Sequence, residues 1–478
     1  MCQAPGDCPG QDTDCQQRTC DSGMCGVMNV AEGGTVTMQT AGDCQKNQCD
    51  GNGGVESVPD DTDVPAAPNA CVTTSCSNGT PGSTNAPVGS PCGTNGTSTC
   101  DAKGNCVAPT NGPCTGGGVL GLPGPPLVPA PGASPLAMAV VDLNGDGKPD
   151  LALADTYMAT VGVLLGLGDG AFAPRVDYPV GTSALAVAAA DMNGDGKPDL
   201  AVVSPMDGAV SVLLNNGDGT FAPKVAYPTG TNIYSVTAAD LNGDGKADLA
   251  VVSQFFHTVS VLLTEGDGTF AANVDYPTGN VPTSVAAADL NGDGKPDLVV
   301  SNLGDSTVSV FSNNGDGTFA AKVDVPAGPP PAFDGMGPQA VVAVDLNGDG
   351  KPDLAVASSS SSAVNVLLNN GDGTFAPEVD YLTDVGSTPL SIFAADLNGD
   401  GKPDLVITNG SFGGMEAGTV SVFLNNGDGT FASRIEYPTG ASPVSVVAAD
   451  LNGDGTIDLA VANDQSSTVS VLLNQCLP

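Results

Sequence analysis

The sequence has no tryptophan, one histidine (His257) and only 13 basic residues against 53 acidic ones in a chain of 478. Each scarcity removes a class of function. A formal net charge of -40 is repelled by phosphate, so neither nucleic acid nor an anionic membrane surface is an expected partner. One imidazole rules out zinc-hydrolase and Ser-His-Asp chemistry unless His257 alone serves it. Without tryptophan, a sugar site loses its best stacking surface. No run of ~18 apolar residues occurs, so no membrane-spanning helix is expected.

Cysteine is confined: 13 of 14 lie between Cys2 and Cys114, and the last is Cys476. The first segment also lacks long apolar runs, so it cannot bury a core and is expected to be stapled by disulfides. A zinc site is the competing reading, but the segment has no C-x-x-C pair and no histidine. Thr19-Cys20-Asp21-Ser22-Gly23-Met24-Cys25 is echoed by Thr99-Cys100-Asp101-Ala102-Lys103-Gly104-Asn105-Cys106, which suggests a small repeated disulfide loop. Oxidised cysteines predict an extracellular or cell-surface location. The chain opens Met1-Cys2-Gln3-Ala4-Pro5 without a basic or apolar leader, so the secretion signal is expected to lie outside it.

From residue 119 onward the chain repeats. D-[LM]-N-G-D-G-x-x-D starts at Asp142, Asp191, Asp240, Asp289, Asp345, Asp396 and Asp450, with spacings of 49, 49, 49, 56, 51 and 54. G-D-G-[TA]-F follows in six copies, ending at Phe172, Phe221, Phe270, Phe319, Phe375 and Phe431. Between these phrases lie four short strand-like runs per unit, which predicts an all-β, seven-bladed β-propeller of four-stranded blades. The domains read as 1–118, a cysteine-rich segment with linkers, and 119–478, the propeller. The last unit stops after its third strand and residues 119–131 stand in the register of a fourth, so the N-terminal stretch is expected to close the seventh blade. In that register Cys114 and Cys476 come together, and a disulfide between them is expected to clamp the ring.

Each acidic phrase has oxygen-bearing side chains at positions 1, 3, 5 and 9, glycine at 6 and a backbone carbonyl at 7, the ligand spacing of an EF-hand-like calcium loop without its Glu at 12. The candidate ligands are Asp142, Asn144, Asp146, Lys148 and Asp150; Asp191, Asn193, Asp195, Lys197 and Asp199; Asp240, Asn242, Asp244, Lys246 and Asp248. They continue with Asp289, Asn291, Asp293, Lys295 and Asp297; Asp345, Asn347, Asp349, Lys351 and Asp353; Asp396, Asn398, Asp400, Lys402 and Asp404; Asp450, Asn452, Asp454, Thr456 and Asp458. Position 7 enters only through its carbonyl; its lysine side chains serve as counter-charges. Up to seven structural Ca²⁺ would offset 14 of the 40 excess negative charges. The alternative is seven metal-free acidic β-turns, since Asn-Gly and Asp-Gly are ordinary turn dipeptides. The G-D-G-[TA]-F phrases, with one carboxylate each, read as hairpin turns whose Phe packs between blades.

These two phrases resemble the FG-GAP-like or VCBS repeat family, the calcium-bearing propeller also found in integrin alpha subunits. The resemblance covers about 142–474 and implies Ca²⁺ in the loop joining the first two strands of each blade. The Phe-Gly and Gly-Ala-Pro tripeptides that name the family are absent at the equivalent places.

Calcium loops and G-D-G-[TA]-F turns share one face of such a ring. Three insertions around blades 5 and 6 fall on the other, which is therefore the expected face for a protein or glycan ligand, with Phe333, Asp334, Met336, Phe412, Met415 and Glu416 as candidate contacts. Neutral loop growth is the competing account. The favoured function is a secreted or surface adhesion and protein-interaction module, monomeric and not an enzyme. The alternatives are a lectin or a calcium-dependent polysaccharide-acting enzyme. Five of seven tyrosines (Tyr178, Tyr227, Tyr276, Tyr381, Tyr437) recur at one outer-strand position and read as structural, leaving Tyr157 and Tyr234 spare. His257 reads as a surface-turn residue, and Asp305-Ser306-Thr307-Val308-Ser309 as a turn and strand rather than a metal-adhesion motif.

Overall fold

A computed structural model describes residues 2–67 apart from 10 and 42, then 71–78, 80–85, short strands at 91–92, 98–100, 106–107, 120–121 and 127–129, and residues 134–329, 336–383, 388–410 and 417–476. The chain separates into two compact units, which divide between Pro109 and Thr110.

The first unit consists of hairpins, with Gln16–Asp21 against Met24–Asn29, Gln45–Cys49 against Val55–Pro59, and Val72–Ser77 against Thr80–Asn85. Disulfides join Cys2 to Cys20, Cys8 to Cys25, Cys15 to Cys49 and Cys44 to Cys76, and Cys71 is also disulfide-bonded. Both echoed segments place two cysteines opposite each other, Cys20 with Cys25 and Cys100 with Cys106. In the first copy the pair does not bond to itself. Residues directly opposite in a hairpin share a face, and the preceding segment captures both there through Cys2 and Cys8.

The second unit contains seven four-stranded antiparallel sheets, six of them in sequential order from an inner to an outer strand. Blade 1 runs Pro135–Val141, Asp150–Asp155, Thr160–Leu164 and Val176–Pro179. The ring closes as the register of the ends requires. Leu127–Pro129 pairs with Thr468–Leu472 as the outer strand of blade 7, whose other strands are Pro443–Ala449 and Asp458–Asn463. Cys476 pairs through its backbone with Leu120. Cys114 lies outside the described residues, and with it the expected clamp.

The second strand of every blade is buried along its whole length, as in Asp199–Ser204 and Asp458–Asn463. Such a strand is covered on both faces, so it reads as a continuous apolar run rather than an alternating one. Burying each Leu or Val there contributes about 1.5–3 kcal/mol. Inner strands of neighbouring blades meet around the axis, where the Ala-rich runs Ala186–Ala190 and Pro282–Ala288 bring small side chains together. Between blades, Phe221 meets Tyr178 edge to face at 5.2 Å and Phe270 meets Tyr227 at 5.2 Å. The recurrent Tyr and Phe are thus a single joint linking an outer strand to the next blade's turn.

Candidate functional site

The seven acidic phrases join the inner strand of each blade to the second, all on one face. Their position-2 residue is apolar because it is a plug: Leu143, Met192, Leu241, Leu290, Leu346, Leu397 and Leu451 are at most 3% exposed. Between plug and strand the backbone turns sharply, with positive φ at Gly145 (75°) and Gly147 (80°), a region open to glycine without steric cost. Asp142 organises the turn. Its Oδ1 accepts the N–H groups of Gly145 (2.7 Å) and Asp146 (3.2 Å), and its Oδ2 accepts that of Gly147 (2.8 Å). Asn144 Oδ1 accepts the Asp146 N–H and Asp146 Oδ1 accepts the Lys148 N–H. The same pattern recurs, for example around Asp191, Asp240, Asp289, Asp345, Asp396 and Asp450.

Position 9 is different. Asp150, Asp199, Asp248, Asp297, Asp353, Asp404 and Asp458 open the second strands and are buried. Asp199 Oδ2 accepts the Met192 N–H (3.1 Å), tying down its own loop, and Oδ1 accepts the Asn215 N–H (2.8 Å) from the following G-D-G-T-F turn. Asn215 then reaches back one blade, its Nδ2 donating to the Leu143 carbonyl at 2.9 Å. Asn313, Asn369, Asn425 and Asn474 do the same to Leu241, Leu290, Leu346 and Leu397, and Thr264 uses its hydroxyl on the Met192 carbonyl. Gly166 stands at this place in blade 1, where the seam to blade 7 is made by the Gly170 N–H on the Leu451 carbonyl (3.1 Å). In sequence these turns read as hairpins with a packing Phe, and the Asn-Asn that precedes most G-D-G-T-F phrases does not by itself tell a stitching Asn from a turn Asn.

Burial raises the pKa of all seven position-9 carboxyls; the backbone N–H bonds oppose the rise, and the two nearby loop carboxylates add to it. Asp248 and Asp404 are pushed up to about 6 and Asp458 to about 7. None of the seven forms an ion pair among the described residues. Five of the six loop lysines instead pair with position 5, as Lys197 with Asp195 (3.4 Å) and Lys295 with Asp293 (3.3 Å), and Lys197 and Lys295 also donate to the carbonyls of Asn216 and Asn314.

The donor set of each loop is three carboxylates, one amide oxygen and one carbonyl, all hard oxygens of the kind Ca²⁺ takes six to eight of. Among the described residues no loop draws three carboxylate oxygens within 4.8 Å of one another, because they face the loop's own N–H groups. Among the described residues, the one trio of ligand atoms that close is the disulfide sulfurs of Cys2, Cys8 and Cys25. A carboxylate oxygen holding one N–H keeps a second lone pair. By donor type, and because position 9 has no cationic partner among the described residues, the residues present suit a hard dication.

On the opposite face, Met336 is half-buried, while Phe333, Asp334, Phe412, Met415 and Glu416 lie outside the described residues. His257 sits in the turn between the second and third strands of blade 3, with φ 54°, and its Nδ1 accepts the Val281 N–H at 2.9 Å. Asp305 and Ser306 form the equivalent turn of blade 4, and Thr307–Phe311 is its third strand.

A model of the FG-GAP-like repeat matches residues 142–202, 193–251, 243–300, 289–356, 345–407 and 411–461. The chain belongs to the FG-GAP-like repeat family. One relative of this FG-GAP-like chain is a T-cell immunomodulatory protein homolog of Plasmodium yoelii yoelii, 32% identical over 132 residues, which are 24% of this chain and 19% of that protein. The chain therefore spans about a fifth of that relative. A solved structure of BBS1N in complex with ARL6DN superposes with a TM-score of 0.51 at 14% identity, covering 73% of this chain and 97% of that one. An Agrocybe aegerita lectin recognising non-reducing terminal N-acetylglucosamine gives 0.47 at 24% identity, covering 69% and 85%. A catalytically inactive virginiamycin B lyase from Staphylococcus aureus gives 0.49 at 13%, covering 73% and 98%.

Proposed function

We propose that this FG-GAP-like propeller is a secreted or surface-attached interaction module, stiffened by calcium on one face and binding its partner on the other. The observation that carries the calcium half is the set of seven buried position-9 carboxyls that lack a cationic partner among the described residues, each beside two further carboxylates. A buried charge without compensation is costly, and a bound dication would remove that cost in every blade. Asp142, Asn144, Asp146, the Lys148 carbonyl and Asp150, with their six sets of counterparts, would hold it. The cation's contribution would be charge neutralisation; the chain's own N–H groups already hold the carboxylates of each loop in one turn.

The binding half follows from what the two faces hold. The acidic face repeats one motif, whereas the opposite turns differ from blade to blade in sequence, as a recognition surface needs. A binding role is also supported by the one imidazole being occupied by the Val281 N–H. The disulfides of the first unit accord with an oxidising, extracellular setting. Affinity capture of surface partners on the full chain, with and without Ca²⁺, tests the module. Partners lost on altering the opposite turns support it, and partners lost only on altering the acidic face count against it.

A further inference from the structure

The inner strands begin around the axis, on the face away from the acidic loops, and their first residues enclose a cavity of about 350 Å³. That volume lies at the lower end of the range for sites that take a small ligand. Half of its lining residues are aliphatic, with Leu136, Leu185, Leu390 and Val444 at one ring position, and Tyr234, Thr283 and Gln339 break the ring in blades 3, 4 and 5.

The hydroxyls of the wall divide by use. Ser284, Ser391 and Ser445 accept backbone N–H groups of the next blade around the ring, from Val341 (3.4 Å), Val446 (3.4 Å) and Met138 (3.2 Å), and Thr283 donates to the Pro338 carbonyl (2.9 Å), so all four are spent on holding the ring together. Tyr234 and Ser235 have no hydrogen-bond partner among the described residues. Neither hydroxyl is sealed off from the cavity, so both are open to hydrogen-bond a ligand that enters it. Both open hydroxyls come from blade 3.

The surroundings are lopsided towards the same side. The blade 3 turn exposes Phe255 (68%) and Phe256 (53%), set edge to face at 5.3 Å. The corresponding turns of blades 1 and 2 expose Tyr157 (85%) and Met206 (77%). In blades 4, 5 and 7 those turns read Gly304-Asp305-Ser306, Ser359-Ser360-Ser361 and Asp464-Gln465-Ser466. An apolar arc over adjacent blades marks an interaction surface. No Lys or Arg occurs in any turn or blade crossing of this face, whereas Asp207, Asp305 and Asp464 do.

We propose that the axial cavity receives one aromatic or aliphatic side chain from a basic polypeptide segment, whose backbone bonds the Tyr234 and Ser235 hydroxyls and whose Lys and Arg residues are drawn by the acidic turns. Charge complementarity selects this occupant over an acidic peptide or an anionic lipid. The proposal rests on the reading of this face as the ligand face and is independent of the calcium reading.

The test is a random peptide library displayed on phage and panned on the full chain, followed by affinity measurement with the synthesised consensus. The expected consensus has one large apolar residue flanked by Lys or Arg. Its binding weakens with salt, falls roughly threefold to tenfold in Tyr234→Phe, and is lost in Leu185→Trp, which fills the cavity. Unchanged melting in Tyr234→Phe shows that the ring is intact, so that variant decides the matter if Leu185→Trp fails to fold. No enrichment, an acidic or neutral consensus, or equal affinity in wild type and Tyr234→Phe would overturn the proposal. A consensus indifferent to both cavity variants but lost in Phe255→Ser would overturn the cavity while leaving the face standing.

Discussion

Asn215 in blade 2 donates its side-chain amide to the carbonyl of Leu143 in blade 1 at 2.9 Å, and to the Pro198 carbonyl in its own blade at 2.9 Å. One buried amide thus joins the acidic loops of two blades, reaching a carbonyl 72 residues back in sequence. The seam between blades is polar and specific as well as apolar.

Asn313→Ala, at the equivalent seam of blades 3 and 4, removes the amide donor from the Pro296 carbonyl and leaves the Leu241 carbonyl with the Gly317 N–H alone. The expected cost is about 1–3 kcal/mol, read from urea unfolding. Asn314→Ala removes an exposed contact to Thr318 next door and is expected to change little. Equal costs for the two would show that the stitch is not what the seam relies on.

Closure of the ring makes a second prediction. A chain beginning at residue 134 lacks Leu127–Pro129 and leaves Thr468–Leu472 as an exposed edge, a template for pairing with other chains. It is expected to melt lower and associate, whereas a chain beginning at residue 110 keeps the strand and melts as the full propeller does. Identical melting of the two truncations would contradict the closure.

The disulfides hold the first unit by themselves. The bond between Cys15 and Cys49 closes a separation of 34 residues, and replacing both with Ser is expected to destabilise this unit by about 3–4 kcal/mol on chain entropy. Protease resistance of residues 2–67 should fall while that of 134–476 persists. Non-reducing peptide mapping of the same protein reports whether Cys476 pairs with Cys114.

Stability against pH carries the sign of the position-9 carboxyls. Their folded pKa values lie above the ordinary 3.8, at about 6 for Asp248 and Asp404 and about 7 for Asp458. The folded state then holds these protons more tightly than the unfolded one. In metal-free protein their contribution is greatest below pH 3.8 and is lost as pH rises through about 6–7. Urea midpoints in chelator should therefore decline from about pH 4 to 7. A rise across that window would show that other groups govern it.

Much of this was legible because the repeat is written in the backbone's own terms. Turn glycines, strand runs and a fixed period leave one way to close seven short sheets, and the register of residues 119–131 against the last unit shows where the ring is joined. The acidic loops were legible as a donor pattern. Their second duty was not, because Asn215 contacts Leu143 only once neighbouring blades are stacked, and nothing local distinguishes a stitching Asn from a turn Asn. Disulfide partners were hidden for a related reason: Cys20 and Cys25 look like a closed hairpin, yet they bond to Cys2 and Cys8. The axial cavity depends on the first residues of seven separate strands, and Tyr234 stood out in sequence only as a tyrosine out of phase with the others.

The central claim is that the acidic loops hold a cation which the folded ring needs. The direct measurement is a calorimetric Ca²⁺ titration of protein first shown to be free of metal, paired with melting curves at each calcium concentration. The account predicts saturable binding with up to seven sites and a melting temperature that climbs with free calcium. No heat of binding and superimposable melting curves would contradict it.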